Sequence, residues 1–242
     1  MRLRNYITTL FVAFAAVAAA AQTQVVAHRG YWRAPGSAQN SIASLCKADS
    51  IDCYGSEFDV WLSTDGVLFV NHDAVFKGHN VEQSSSAELS AIILDNGEHM
   101  PTLDKYLAKA KTLKTRIVLE LKAHQTKEKE AEAVAKIVEM VEKYGLTDRT
   151  EYISFSLFAC KEFKRVAPQG TDIYYLNGEL SPAELKTLGF AGFDYSMGPI
   201  KKHPEWIEEA HKLGLKVNVW TCPKSQEKVR RMPLLTGEKR NS

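Results

Sequence analysis

The sequence predicts a parallel α/β barrel of the (β/α)8 type, and three observations carry that prediction. Short apolar runs alternate with amphipathic stretches along most of the chain, which is the signature of strand–helix units feeding a parallel sheet. The strand candidates number about eight, which suits a closed barrel better than an open doubly wound sheet. No G-x-G-x-x-G opens the first helix, so the best signal for a dinucleotide-binding sheet is missing. At 242 residues, 45% hydrophobic and 25% charged, the chain has the length and composition of a globular protein with a real core.

The strand candidates are Gln24–His28, Glu57–Leu62, Val67–Asn71, Arg116–Leu121, Glu151–Phe155, Asp172–Leu176, Ala191–Tyr195 and Lys216–Trp220. Several are rich in the β-branched and aromatic residues that strands favour. Helices are expected between most of them. Lys127–Tyr144 carries Ala131, Val134, Ile137, Val138 and Val141 at helical spacing, with Gly145 as its stop. Ser181-Pro182-Ala183-Glu184 reads as a capping box with proline at the first helical position, and Ser85–Glu88 opens another short helix in the same way. Pro204–Leu213 has an apolar face and ends at Gly214.

One junction departs from the alternation. Only Ser63-Thr64-Asp65-Gly66 separates Glu57–Leu62 from Val67–Asn71, too short for a parallel crossover. Asp65-Gly66 is a turn signal, and a hairpin centred between Thr64 and Asp65 would set Glu57 opposite His72. The alternative is a short irregular return through the barrel floor.

The ends of the chain read differently. Arg2 and Arg4 precede an apolar run, Ile7 to Ala21, that ends in small residues with Ala19 and Ala21 at the A-x-A positions. This pattern predicts a secretory signal peptide over residues 1–21, and hence export to a periplasm or beyond the cell. The run is short for a membrane span, and no later stretch is long and apolar enough for one. The chain has 31 basic and 29 acidic residues. Loss of the leader with its two arginines leaves a neutral protein, which gives no argument for nucleic acid or an anionic membrane as partner. Cys46 and Cys53 are near enough in sequence to pair in an exported chain, or are small buried side chains. From Cys222 to Ser242 the chain is basic and polar with no strand-like run. The barrel is therefore expected to be incomplete at its C-terminus, with an exposed edge.

Chemistry-bearing residues gather where strands end. His28, Arg29 and Gly30 follow the first strand; an arginine there suits a phosphate gripped by paired hydrogen bonds. Glu57 and Asp59 share one face of an apolar strand. Two carboxylates there are costly to bury without a positive partner, and a hard divalent cation is one. His72, in Asn71-His72-Asp73, has the right acidity for proton transfer near neutrality. Glu120 and Lys122 point the same way from another apolar strand, as a further metal ligand and a phosphate contact or as an internal ion pair. Barrel enzymes build their sites at strand C-termini.

These residues, in the order Val25–Gly30, Ala38–Ser41, Ser56–Asp73, Pro101–Leu107 and Ile117–Lys122, resemble the glycerophosphodiester phosphodiesterase family, over about Val25 to Trp220. The resemblance implies a (β/α)8-type barrel that hydrolyses glycerophosphodiesters to glycerol 3-phosphate and an alcohol with a divalent metal, Ca2+ or Mg2+. It implies His28 and His72 as the acid/base pair, Arg29 as phosphate clamp, Glu57, Asp59 and Glu120 as metal ligands, Lys122 near the phosphate, and Trp220 in the pocket wall. Ala74 to about Met100 resembles the insertion that follows the third strand and shapes substrate entry. Gln39-Asn40 stands where the family usually has Glu-Asn, which implies a lost charge rather than a lost ligand. A phospholipase D-like or phosphoinositide-cleaving enzyme, or a non-catalytic phosphodiester-binding relative, fits the same scaffold.

Overall fold

The structure is a computed structural model describing residues 24–220 and the backbone of 229–232. The leader expected over 1–21 and Cys222 lie outside the described residues. In chain order the elements are β1 (Gln24–Ala27), α1 (Ile42–Ser50), β2 (Gly55–Leu62), β3 (Leu68–Val70), β4 (Val75–Phe76), β5 (His79–Asn80), α2 (Ser86–Ser90), α3 (Leu103–Ala110), β6 (Arg116–Leu121) and α4 (Lys127–Lys143). There follow β7 (Thr150–Ser154), α5 (Leu157–Val166), β8 (Asp172–Tyr175), α6 (Pro182–Thr187), β9 (Gly192–Ser196), α7 (Met197–Lys202), α8 (Glu205–Lys212), β10 (Lys216–Trp220) and β11 (Val229–Met232).

Seven parallel strands, β1, β2, β6, β7, β8, β9 and β10, pair successively into a curled sheet. Side chains alternate across it. Phe58, Val60 and Leu62 of β2, with Ile117, Leu119 and Leu121 of β6, face outward into a core shared with Ala133, Val134, Ile137 and Val141 of α4. The inward positions build a smaller apolar plug of Val26, Val118, Ile153, Tyr174 and Leu176. Helix starts are secured as the sequence foresees: Ser85 and Ser181 both close capping boxes, with Glu88 and Glu184.

Two expectations need correction. The tail does contain a strand: β11 runs antiparallel between β10 and β1, pairing Val217 with Met232 and Val26 with Val229. Among the described residues the barrel has seven parallel strands, and the β1 edge is not left open. Open ladder groups on both neighbours reward any extended segment that reaches them, whatever its side chains. The β2–β3 hairpin forms, but one residue out of the expected register. Val60 faces Val70 and Leu62 faces Leu68, which centres the turn on Asp65. The loop has three residues rather than two, closed by Ser63 N–H donating to Val67 O (2.9 Å) and by Gly66 at φ +79°. Continued pairing would set Asp73, not His72, opposite Glu57. β3 covers only the upper half of one β2 edge, because β1 holds the lower half.

Residues 74–100 follow β3 and carry β4, β5 and α2, with their own apolar cluster of Val81, Leu89, Ile92, Leu94 and Met100 around Trp61 and Phe69. Glu82 docks this segment by accepting the Gln125 N–H and facing the Lys129 ammonium. Cys46 carries a free thiol, so the Cys46–Cys53 bond is not formed. Among the described residues, no helix is long and apolar enough to cross a membrane.

Candidate active site

Asp59 and Glu120 are direct neighbours across the β2–β6 ladder, and Glu57 lies two residues below Asp59 on the same inward face. One oxygen from each of the three carboxylates falls within 4.8 Å of the others, and all three residues are buried. Glu57 Oε2 accepts the Arg29 N–H at 2.7 Å, but Glu57 Oε1 is buried with no hydrogen-bond partner. Burial, then the Asp59 and Glu120 charges, pushes Glu57 well above the ordinary carboxylate range. Burial, then Asp59, pushes Glu120 up to about 8. The Lys122 ammonium stands against Glu120 Oε1 at 2.7 Å and Asp59 Oδ1 at 3.3 Å. Burial opposes the Lys122 charge, but these two carboxylates outweigh it and raise its pKa. The donor set is all oxygen, tightly clustered and short of positive charge, which fits a hard divalent cation.

The loop after β1 builds the rim. Arg29 and Gly30 both take left-handed backbone, at φ +59° and +71°. Gly30 packs so closely on α1 that an added Cβ would stand 2.3 Å from Ser44 Oγ and 2.7 Å from its carbonyl carbon. This kink lets Gly30 N–H reach Glu57 O and sets Arg29 N–H on the Glu57 carboxylate. Asn40, also left-handed at φ +60°, clamps Asp59 from the side. Its Nδ2 donates to Asp59 Oδ2 (2.9 Å), and its Oδ1 accepts the Asp59 N–H (3.2 Å). Gln39 Oε1 accepts from Arg29 Nη1.

The two histidines face one cavity of about 250 Å³, lined also by Arg29, Glu57, Glu120, Asp194, Asn218, Phe155 and Trp220. His28 Nε2 lies 3.9 Å from Glu57 Oε2. Burial, reinforced by the Arg29 charge, lowers His28 to about 4, so its ring is neutral at physiological pH. His72 Nδ1 is 2.7 Å from Asp73 Oδ1, and the His72 carbonyl accepts from Trp61 Nε1 at 3.4 Å. The register shift moves the His72 backbone but leaves its ring on the cavity wall.

All eight residues singled out in the sequence come together at this end of the barrel. Four others join them. Asp194 and Asn218 line the cavity from inward positions of β9 and β10, and Asn218 Nδ2 is buried without a hydrogen-bond partner. Each is a polar residue flanked on both sides by apolar or aromatic strand neighbours, the same signal that marks Glu120. Phe155 stands edge-on to Trp220, with ring centres 5.8 Å apart. His124 sits behind Lys122. Its Nε2 accepts the Leu62 N–H (3.0 Å), its Nδ1 faces Lys122 O (2.7 Å), and its ring packs on Trp61.

Comparison with known proteins agrees with this geometry. Residues 28–235 match the Glycerophosphoryl diester phosphodiesterase family. A glycerophosphodiester phosphodiesterase of Caldanaerobacter subterraneus subsp. tengcongensis is 25% identical over 221 residues, covering 85% of this chain and 88% of its own. A crystal structure of a glycerophosphodiester phosphodiesterase from Parabacteroides distasonis is 49% identical, with a TM-score of 0.81 over 83% of this chain and 84% of that one. A phosphodiesterase from Oleispira antarctica, solved with its product sn-glycerol-3-phosphate, is 25% identical, with a TM-score of 0.69 over 83% of this chain and 85% of that one. The chain therefore belongs to the glycerophosphoryl diester phosphodiesterase family, and is a phosphodiesterase of the barrel type.

Proposed function

We propose that this chain hydrolyses glycerophosphodiesters to glycerol 3-phosphate and a free alcohol, with a divalent cation, Ca2+ or Mg2+, held by Glu57, Asp59 and Glu120. The observation that carries the reading is the buried carboxylate trio, with its orphaned Glu57 oxygen, facing two histidines across one cavity. When bound, the cation supplies Lewis acidity toward a phosphoryl oxygen and offsets the negative charge that builds there.

The rest follows from the chain's own side chains. Arg29 and Lys122 bring positive charge to the phosphate oxygens. His28, neutral because it is buried beside Arg29, takes the proton from the attacking hydroxyl: that of water directly, or that of the substrate's own glycerol, after which a water molecule opens the cyclic phosphate to glycerol 3-phosphate. His72 donates a proton to the leaving alkoxide, and the Asp73 carboxylate at its Nδ1 holds the ring in place. Asn218 Nδ2 offers an unused donor to a glycerol hydroxyl, while Trp220 and Phe155 cover the carbon face. We further propose that the chain works after export, on the strength of the Ile7–Ala21 leader pattern.

The test is release of glycerol 3-phosphate from glycerophosphocholine by the purified mature chain, with calcium, magnesium or a chelator present. Release with metal and none with chelator is expected. A folded chain that binds metal and releases nothing from any glycerophosphodiester would refute the proposal.

A further inference from the structure

The first turn of α1 has no acidic residue of its own, yet its free N–H groups need acceptors. Ser41 Oγ, at the N-cap, accepts Ser44 N–H at 3.0 Å. The other two go to a side chain at the far end of the 74–100 segment. Glu98 Oε2 accepts Ile42 N–H (2.9 Å) and Glu98 Oε1 accepts Ala43 N–H (3.0 Å). Asn96 steadies that carboxylate, donating from Nδ2 to Glu98 Oε1 at 2.8 Å and to the Gly36 carbonyl at 3.4 Å. Negative charge is favoured at this end of a helix, so Glu98 does for α1 what an acid within its first turn would otherwise do.

The turn held in this way begins two residues after Asn40. Asn40 grips Asp59 at both its carboxylate and its N–H. Its own N–H donates to Arg29 O (3.1 Å), and its backbone is left-handed. A residue other than glycine keeps such a backbone where its surroundings impose it. On one side those surroundings are Arg29. On the other they are the start of α1, and that start is fixed by Glu98.

From this chain of contacts we propose that Glu98 is a positioning residue for the cation: it holds Asn40 against Asp59 through the first turn of α1, and so links the 74–100 segment to the metal ligands. The inference rests on the reading of Glu57, Asp59 and Glu120 as those ligands. Glu98 belongs neither to the carboxylate cluster nor to the cavity wall. It acts in two hydrogen-bonded steps, from Glu98 to the α1 backbone and from Asn40 to Asp59. Cation binding and docking of the segment are then coupled. Whatever loosens Glu98 weakens the cation, and the cation tightens the Glu98 contact by the same factor.

The experiment measures cation affinity rather than turnover. Calcium or magnesium is titrated calorimetrically into the purified chain and its Asn40→Ala, Glu98→Ala and Glu98→Gln variants. Asn40→Ala removes direct support from a ligand and should weaken the cation about 10- to 100-fold. Glu98→Ala acts one step further back and should weaken it roughly 3- to 10-fold; Glu98→Gln, which keeps one acceptor, should cost less. Once Asn40 is alanine, adding Glu98→Gln should change the affinity no further, because the path runs through Asn40. Amide exchange on the wild-type chain gives an independent reading. Saturating metal should slow the Ile42 and Ala43 N–H groups by the same roughly 3- to 10-fold, beyond any change in α8. This comparison decides alone if the variants do not fold. Glu98 variants that lower the thermal midpoint but leave cation affinity unchanged would make the contact structural only and overturn the inference. Equal slowing at α1 and α8, or an undiminished further loss in the double variant, would overturn it too. A wild-type chain that binds no cation sinks the metal reading and this inference together, whereas normal binding that the Glu98 variants leave unmoved sinks this inference alone.

Discussion

Metal binding should expel protons from this chain, and the structure sets how many. Glu120 rises from the ordinary 4.5 to about 8 when no cation is present, because it is buried beside Asp59. At pH 7 a group of pKa 8 is about 90% protonated, so a metal that needs its carboxylate releases about 0.9 proton from it. At pH 9 the same group retains only about 0.1 proton, so its share of the release falls by about 0.8. Glu57 is raised too and adds to the release, since the cluster titrates as a unit. The sign for stability runs the same way. A carboxyl whose folded pKa lies above its unfolded value destabilises the fold as pH rises past 4.5, and the loss is complete above 8. The span of 4.5 to 8 corresponds to about 5 kcal/mol, an upper order-of-magnitude figure that a bound cation would recover. Calorimetric titration with calcium or magnesium, in buffers of different ionisation enthalpy at pH 7 and pH 9, measures the release directly. Glu120→Gln should lower the pH 7 release by about one proton. Zero release at pH 7, or a release that does not fall by pH 9, would refute the account of the cluster as a proton-for-metal exchanger.

Three other outcomes are expected. His28→Ala and His72→Ala should each lower kcat by about 10²–10⁴-fold at saturating metal, measured as glycerol 3-phosphate release; full activity in both would remove them from the chemistry. Asn40→Ala should destabilise the fold by roughly 2–4 kcal/mol in denaturant titrations, because Asp59 loses two buried partners and alanine resists the left-handed backbone. Asn40→Gly, which relieves only the backbone term, should recover about 1 kcal/mol of that. Gly30→Ala should cost at least about 3 kcal/mol, since the added carbon meets Ser44 backbone at 2.7 Å in a left-handed residue; a thermal midpoint within a degree or two of wild type would contradict the packing.

The carboxylate trio is legible in the sequence for an energetic reason. Glu57, Asp59 and Glu120 sit among mostly apolar strand residues, and a buried charge must be compensated. The same argument extends to Asp194 and Asn218, whose strands are just as apolar around them. Asn40 is different: its place in a loop says nothing until its left-handed backbone and the nearby Asp59 are both known. The hairpin was legible as a hairpin, but its register turned on whether Gly66 belongs to the loop or begins the strand, and a one-residue choice there moves every pairing above it. Strand β11 was not legible because its pairing is decided by the open edges of β1 and β10, not by its own composition.

His124 adds something about how the catalytic face is shaped. In a regular parallel ladder the Leu62 N–H would go to a β6 carbonyl, and the next one in line is that of Lys122, whose own N–H donates to Val60 O. The imidazole is interposed instead, accepting the Leu62 N–H at Nε2 and donating its Nδ1–H to the Lys122 carbonyl. The ring acts as a spare peptide unit. It widens the gap between two neighbouring strands by its own breadth without stranding a donor or an acceptor. The two strands can thus part beyond Val60 while Leu62 N–H and Lys122 O both stay hydrogen-bonded. The device demands one tautomer, with the proton on Nδ1, and burial lowers the pKa of the ring. A bridge made by a neutral ring is lost in acid: a second proton would set N–H against N–H at Leu62.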